Sequence, residues 1–247
     1  MKYVKIVFSP TGGTAKVADI LTKKWTGVEQ IDLSKADTNF SEYKFEPEDN
    51  VLIAMPSFGG LAPEVAINRL KKISGNGAKC TIVCVYGNRA YEDTLAQMED
   101  AAKECGFEVI AAVAAIAEHS IIHKYATNRP DAADEKQLED FAEQISNKEG
   151  AVTFVPGNRP YKKSGGAGLV PKVTGNCVKC GLCASNCPVK AIDTKKYKAD
   201  SKACISCMRC ISECPHHARK VNGVMVGIAG IAIKNACSVR KENELFL

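Results

Sequence analysis

The 247-residue sequence contains no hydrophobic run long enough to cross a bilayer. Its longest apolar stretch, residues 224–233, has ten residues, two of them glycine, against the ~20 that a transmembrane helix needs. The N-terminal Met1-Lys2-Tyr3-Val4-Lys5-Ile6 lacks the long apolar core and small-residue cleavage site of a secretory signal. These two absences predict a cytoplasmic protein with no membrane span. Apolar content is not scarce: 45% hydrophobic residues suits globular folding and argues against disorder. A first glycine-rich turn, residues 9–14, lacks both the G-K-[ST] ending of a P-loop and the G-x-G-x-x-G of a dinucleotide fold.

Cysteine is abundant instead. There are twelve, and eight fall between 177 and 214. In a reducing compartment such density means metal binding more often than disulfides. Cys80 and Cys84 sit in an apolar run that reads as core, and Cys105 and Cys237 are scattered.

Residues 1–149 alternate strand and helix signals. Strands are expected at 4–8, 28–33, 51–55, 80–86 and 107–117. Helices are expected up to about 25, from about 63, over 91–105 and over 131–147. Strands alternating with helices imply a parallel sheet covered on both faces. Five strands suit the doubly wound order 2-1-3-4-5. Residues 150–176 are punctuated by Gly150, Pro156-Gly157, Pro160, Gly165-Gly166, Gly168, Pro171 and Gly175 and read as a linker. Residues 177–247 then form a second unit with a charged tail.

That unit contains an internal repeat. Cys177, Cys180, Cys183, Cys187, Pro188 and Ala191 recur 27 positions later as Cys204, Cys207, Cys210, Cys214, Pro215 and Ala218. Each copy spells C-x2-C-x2-C-x3-C-P. Three thiolates at three-residue intervals can wrap three irons of one cubane. Structural zinc also uses C-x2-C pairs, but a zinc ribbon needs only two such pairs and leaves the third and fourth cysteines and the prolines unexplained. The stretch resembles the bacterial two-cluster ferredoxins, in which the fourth cysteine ligates the other cluster. The resemblance implies one [4Fe-4S] cluster on Cys177, Cys180, Cys183 and Cys214, and a second on Cys204, Cys207, Cys210 and Cys187. Lys179, Lys190 and Arg209 read as solvated charges that can steer an acidic partner, and His216 and His217 as loop histidines.

Charge is divided along the chain. Residues 1–149 carry a net of −6 and residues 150–247 a net of +11. A nucleic-acid-binding surface is one reading of the basic half. Two anionic clusters would lower it to about +7, and we expect no nucleic-acid partner but an acidic one, or the acidic N-terminal half.

The turn Ser9-Pro10-Thr11-Gly12-Gly13-Thr14 lies between the first strand and first helix. Its glycines let several N–H groups face one point, the helix start adds partial positive charge, and Ser9, Thr11 and Thr14 offer hydroxyls. That suits a phosphate monoester. The turn resembles the flavodoxin FMN-phosphate loop, S/T-x-T-G-x-T, which implies FMN beside strands one and three. Two further loops would then hold the ring: Pro56-Ser57-Phe58-Gly59-Gly60 and Tyr86-Gly87-Asn88-Arg89-Ala90-Tyr91-Glu92-Asp93. Phe58 and Tyr91 could stack on it, although each suits a core position equally well.

Taken together, the order of parts, the Gly87-to-Asp93 segment, Pro156-Gly157-Asn158 and the tail 240–247 resemble the flavodoxin–ferredoxin fusion family of anaerobic bacteria and archaea. The resemblance implies a flavodoxin-like sheet domain followed by a small α+β dicluster ferredoxin domain. It also implies FMN and two clusters, and electron transfer with a redox partner protein. Arg89 departs from ordinary flavodoxins, which surround the ring with acidic residues. Phe58, Arg89 and Tyr91 are candidates for the cluster-facing contact. His119 and His123 follow the fifth strand without an E-x-x-H core and read as loop or interface histidines. Two other functions fit the same parts: a flavin-dependent reductase of a small organic substrate, and an assembly protein without flavin.

Overall fold

The computed structural model describes residues 1–163 and 168–247. Gly165 and Gly166 of the expected linker lie outside the described residues. In chain order the N-terminal elements are β1 (Tyr3–Val7), α1 (Gly13–Leu21), β2 (Glu29–Asp32), β3 (Asn50–Pro56), α2 (Glu64–Leu70), β4 (Lys79–Tyr86), α3 (Thr94–Glu104), β5 (Glu108–Ile116) and α4 (Ala132–Ser146). A cluster region follows, with β6 (Lys172–Val173), α5 (Leu182–Ser185), α6 (Arg209–Ser212) and β7 (Arg219–Lys220). Last come α7 (Gly223–Ala232), α8 (Lys234–Cys237) and β8 (Glu244–Phe246).

The main sheet runs β2-β1-β3-β4-β5-β8. Its first five strands are parallel, in the expected flavodoxin-like order. Continuous apolar runs form β3, β4 and β5 because helices cover both faces. One face buries Phe8, Ile53, Ile82, Leu70 and Met98 beneath α2 and α3. The other buries Val7, Val17, Val83 and Leu138 beneath α1 and α4. Each such side chain contributes about 1.5–3 kcal/mol. Helix α4 begins with a capping box in which the Asp131 carboxylate accepts from the Ala133 and Asp134 amides.

The sixth strand was not visible in the sequence pattern. β8 pairs antiparallel with β5, Val113 facing Leu245, so the tail grouped with the cluster region closes the edge of the N-terminal sheet. Buried Asn243 fixes it. Its Oδ1 accepts from the Ile116 amide at 2.9 Å, and its Nδ2 donates to Gln137 and Asp134. Arg129 and Asp134 form a buried ion pair beneath the tail, and Arg129 also donates to the Lys241 carbonyl.

The expected linker is ordered over much of its length. Val152 and Val155 enter the main core. Asp93 accepts from the amides of Asn158 and Lys162, both at 2.8 Å. Arg159 donates to Asp100 and Glu99. A strap over 151–162 is therefore bound along α3, which turns much of the expected spacer into part of the sheet unit.

In the cluster region the repeat is structural. Helices α5 and α6 lie 27 positions apart, each entered through a left-handed residue, Gly181 and Met208 respectively. β6 and β7 form a short antiparallel pair. This region meets the sheet unit directly. Arg69 donates to the Leu33 and Pro188 carbonyls, both at 2.6 Å, Ile205 packs on the main core, and Lys190 pairs with Asp37. Among the described residues no helix is long and apolar enough to cross a membrane.

Candidate iron–sulfur and flavin sites

The eight repeat cysteines divide between two cavities. One is lined by Cys177, Cys180, Cys183 and Cys214; the other by Cys187, Cys204, Cys207 and Cys210. Each cavity thus takes three thiols from one copy and the fourth from the other. The geometry follows from the repeat: α5 and α6 carry Cys183 and Cys210, the loops before them carry Cys177, Cys180, Cys204 and Cys207, and the turn before Pro188 or Pro215 carries the last thiol across. The Ala191 and Ala218 amides donate to Cys187 and Cys214 Sγ, both at 3.3 Å. These matching bonds stabilise thiolate character at equivalent places.

The donor set suits clusters rather than single ions. Four soft thiolates spread around a cavity suit an iron–sulfur cubane instead. Cys180 is exposed while its counterparts in the other set are half-buried. Burial pushes the Cys207 thiol up to about 12 and the Cys210 thiol to about 11, so metal loading there displaces protons. Cys80 and Cys84 are buried strand residues, as their sequence context implied.

The second candidate site lies at the carboxyl end of the parallel sheet. Gly12 caps α1 with φ +94°, a conformation that favours glycine. Ser9 Oγ accepts from the Ala15 amide at 2.9 Å. Among the described residues the Gly12, Gly13 and Thr14 amides have no backbone partner, and the N-cap residue Gly12 has no side chain to cap them. Thr14 is buried and Thr11 exposed. These free donors at a helix start fit a phosphate.

The ring-side loops are more committed than the sequence implied. The Phe58 amide donates to the Leu61 carbonyl, and Ser57 Oγ accepts from Thr94. A Cβ on Gly60 would lie 1.7 Å from Glu92 Oε2, so the loops after β3 and β4 press together there. Pro56 and Phe58 stay half-buried, and Gly59 is exposed. Tyr86 is buried and packs edge-on against Tyr91 at 5.2 Å. Burial and a hydrogen bond to Glu244 push the Tyr91 hydroxyl pKa up. Asn88 Nδ2 donates to the Cys237 and Val239 carbonyls, and Arg89 makes a bidentate pair with Glu92. Gly87 lies against the His119 ring. The side chains of Asn88, Arg89, Tyr91 and Asp93 thus serve the tail, each other or the strap. Phe58 and the loop backbones remain for a ring.

His119 and His123 have local partners. His119 Nδ1 accepts from the Ile121 and Ile122 amides, and burial lowers its pKa. His123 Nδ1 lies 2.7 Å from Glu118 Oε1. Sequence reasoning missed Arg69 and Asp37, which carry the inter-region contact, and Arg219. The last has a visible signal: it occupies the repeat position that Ile192 fills in the first copy.

Residues 176–218 match the 4Fe-4S dicluster domain family. No curated protein matches the chain. Among solved structures, a Streptococcus pneumonia TIGR4 flavodoxin is 22% identical, covering 58% of this chain and 97% of its own, with a TM-score of 0.41. A Fusobacterium nucleatum flavodoxin bound to flavin mononucleotide is 15% identical, covering 59% and 98%, at 0.42. The rubredoxin oxygen:oxidoreductase from the anaerobe Desulfovibrio gigas is 16% identical, covering 59% and 35%, at 0.42. The fold itself is read from the strand order. The chain is therefore an α/β protein with an iron–sulfur dicluster domain. It joins a flavodoxin-like fold to that domain, the order of parts of a flavodoxin–ferredoxin fusion.

Proposed function

We propose that this chain is a cytoplasmic electron carrier that passes electrons between two [4Fe-4S] clusters and FMN, and exchanges them with a partner redox protein. The observation that carries the reading is the sorting of eight thiols into two crossed sets of four around two cavities. When bound, the clusters would move single electrons and FMN would accept one or two, which joins one-electron carriers to a two-electron step.

The residues divide the work. Cys177, Cys180, Cys183 and Cys214 would hold the more exposed cluster, where a partner can approach. Cys187, Cys204, Cys207 and Cys210 would hold the cluster beside Ile205, which packs on the sheet unit's core. The 9–14 loop would hold the FMN phosphate through its amides and threonine hydroxyls. Phe58 and the backbones of 56–60 and 86–88 would line the ring. The close packing of Gly60 on Glu92 and of Gly87 on His119 favours a carrier over a reductase with an open substrate pocket.

Anaerobic purification with iron, sulfide and flavin counting tests the composition. About eight irons and one FMN per chain are expected. Flash reduction of the clusters, with flavin absorbance followed over a dilution series, tests the function. A rate independent of protein concentration is expected. A rate that scales with concentration would place transfer between chains and remove the proposed role.

A further inference from the structure

Arg219 is a buried cation that pairs with no carboxylate among the described residues. It is 3% exposed. Nη1 donates to the Tyr197 carbonyl at 2.8 Å and lies 3.6 Å from Cys183 Sγ, and Nη2 donates to the Pro171 carbonyl at 3.1 Å. Nε is buried with no partner among the described residues. Arg209, the other arginine at the cavities, likewise has a buried Nε without a hydrogen bond among the described residues, but it has a carboxylate, Glu213, in an ion pair at 3.0 Å. An unpaired buried charge is strongly destabilising. Arg219 therefore lacks a counterion that the protein's carboxylates do not provide.

The repeat shows where that counterion lies. Position 192 lines the second cavity with isoleucine, and position 219, 27 residues on, lines the first cavity with arginine. An apolar residue satisfies the backbone geometry at this place, so the charge is an addition confined to one copy. The guanidinium touches Cys183 of one thiol set, and its Nη2 donates to the carbonyl of Pro171, which lines the cavity of the other. A guanidinium presents several N–H donors in a fixed plane, which lets one residue serve two anions.

We infer that Arg219 is a shared electrostatic ligand of both clusters, raising both reduction potentials and easing the presence of an electron on each. The inference rests on the two-cluster reading above. Each cluster becomes one unit more negative on reduction, so a fixed cation between them favours the reduced form. N–H donors to sulfur act in the same direction. The guanidinium also offsets the repulsion between two reduced clusters, which brings their potentials closer together. Arg219 is a positioning and tuning residue; it takes no electron itself.

The test is an EPR-monitored redox titration of the unaltered protein, Arg219→Gln and Arg219→Lys, with iron counted in each. The iron count of the unaltered protein tests the two-cluster reading; the potentials test the arginine. In R219Q both potentials should fall, each by about tenfold in the ratio of reduced to oxidised form, or about 59 mV for one electron. R219K keeps the charge but not the fork, and its potentials should lie between. R219Q with eight irons and unchanged potentials would overturn the inference. If R219Q does not assemble, pulsed EPR of the reduced unaltered protein carrying guanidino-15N arginine decides. Nitrogen coupling on both clusters is expected, and coupling on neither or on one alone overturns the shared role.

Discussion

The two regions of this molecule are held together by different means. The sheet unit buries long apolar side chains on both faces, from Phe8 and Ile53 to Val83 and Leu138. In residues 177–218 the buried apolar residues are Ala184, Ala191, Ile192, Met208 and Ala218, three of them alanines, and the helices there are four residues long. A region of that size cannot stabilise itself by apolar burial. Its centre is eight thiols around two cavities, so metal binding contributes folding free energy there directly. One half is built on apolar burial and presents function on its loops; the other would draw much of its stability from its cofactors.

The largest expected effect breaks this contrast at its centre. Cys187→Ala removes a thiol that sequence assigns to the first copy and structure to the second cavity. Iron should fall from about eight to about four per chain. The spectroscopic signal lost should match that lost in Cys207→Ala and differ from that lost in Cys180→Ala. A match with Cys180→Ala would reverse the ligand sets. The sheet unit's far-ultraviolet signature should persist.

Arg129→Ala strikes the other half without touching metal. It leaves Asp134 buried beneath the tail. Breaking a buried pair on one side costs about 3–5 kcal/mol, although Asn243 and Arg240 still reach Asp134. Chemical unfolding should show a loss toward the lower end of that range, with native-state iron unchanged. A loss of iron instead would mean that the tail supports the clusters and that the two regions fold as one.

How much of this was legible in the sequence differs between the regions for the same physical reason. The cluster ligands follow from spacing because thiolate chemistry restricts the residue type, and the crossed grouping follows from the ferredoxin resemblance. The five parallel strands follow from apolar runs separated by helical periodicity. β8 did not: Glu244-Leu245-Phe246 is three residues long, and its pairing with β5 is a long-range choice that local pattern does not encode. The strap was masked by composition, since glycines and prolines that read as flexible instead bend a segment bound through Asp93 and Arg159. Asn88, Arg89 and Asp93 look like ring contacts from their place after β4. The structure commits the side chains of Asn88 and Asp93 elsewhere because tail and strap arrive from more than 60 residues away, and it pairs Arg89 with its neighbour Glu92.

A smaller effect sharpens the boundary between what the sheet unit builds and what a ligand supplies. Thr11→Val with Thr14→Val removes two hydroxyls beside the free amides of the 9–14 loop. Hydrogen bonds to charged groups contribute about 1.5–3 kcal/mol each. FMN affinity of the deflavinated protein should fall by about tenfold or more, as flavin fluorescence titration would measure. Stability without flavin should change little, since Thr11 is exposed and valine keeps the shape of buried Thr14. An unchanged affinity would move the phosphate away from this loop.

The smallest effect lies where the regions meet. The opposite net charges of the two halves predict a contact weakened by salt. The contact itself is built otherwise. Arg69 bridges two carbonyls, Leu33 on one side and Pro188 on the other, and Ile205 packs on the sheet unit's core. The one ion pair found across the contact among the described residues, Lys190 with Asp37, is solvent-exposed on both sides, and such pairs contribute about 0–1 kcal/mol. Lys190→Ala should therefore leave the intramolecular transfer rate nearly unchanged, and raised salt should slow it only slightly. Arg69→Ala should slow it more, because two carbonyls lose their shared donor. A steep salt dependence that Lys190→Ala abolishes would mean that the charge division between the halves, and not the packed contact, holds them in register.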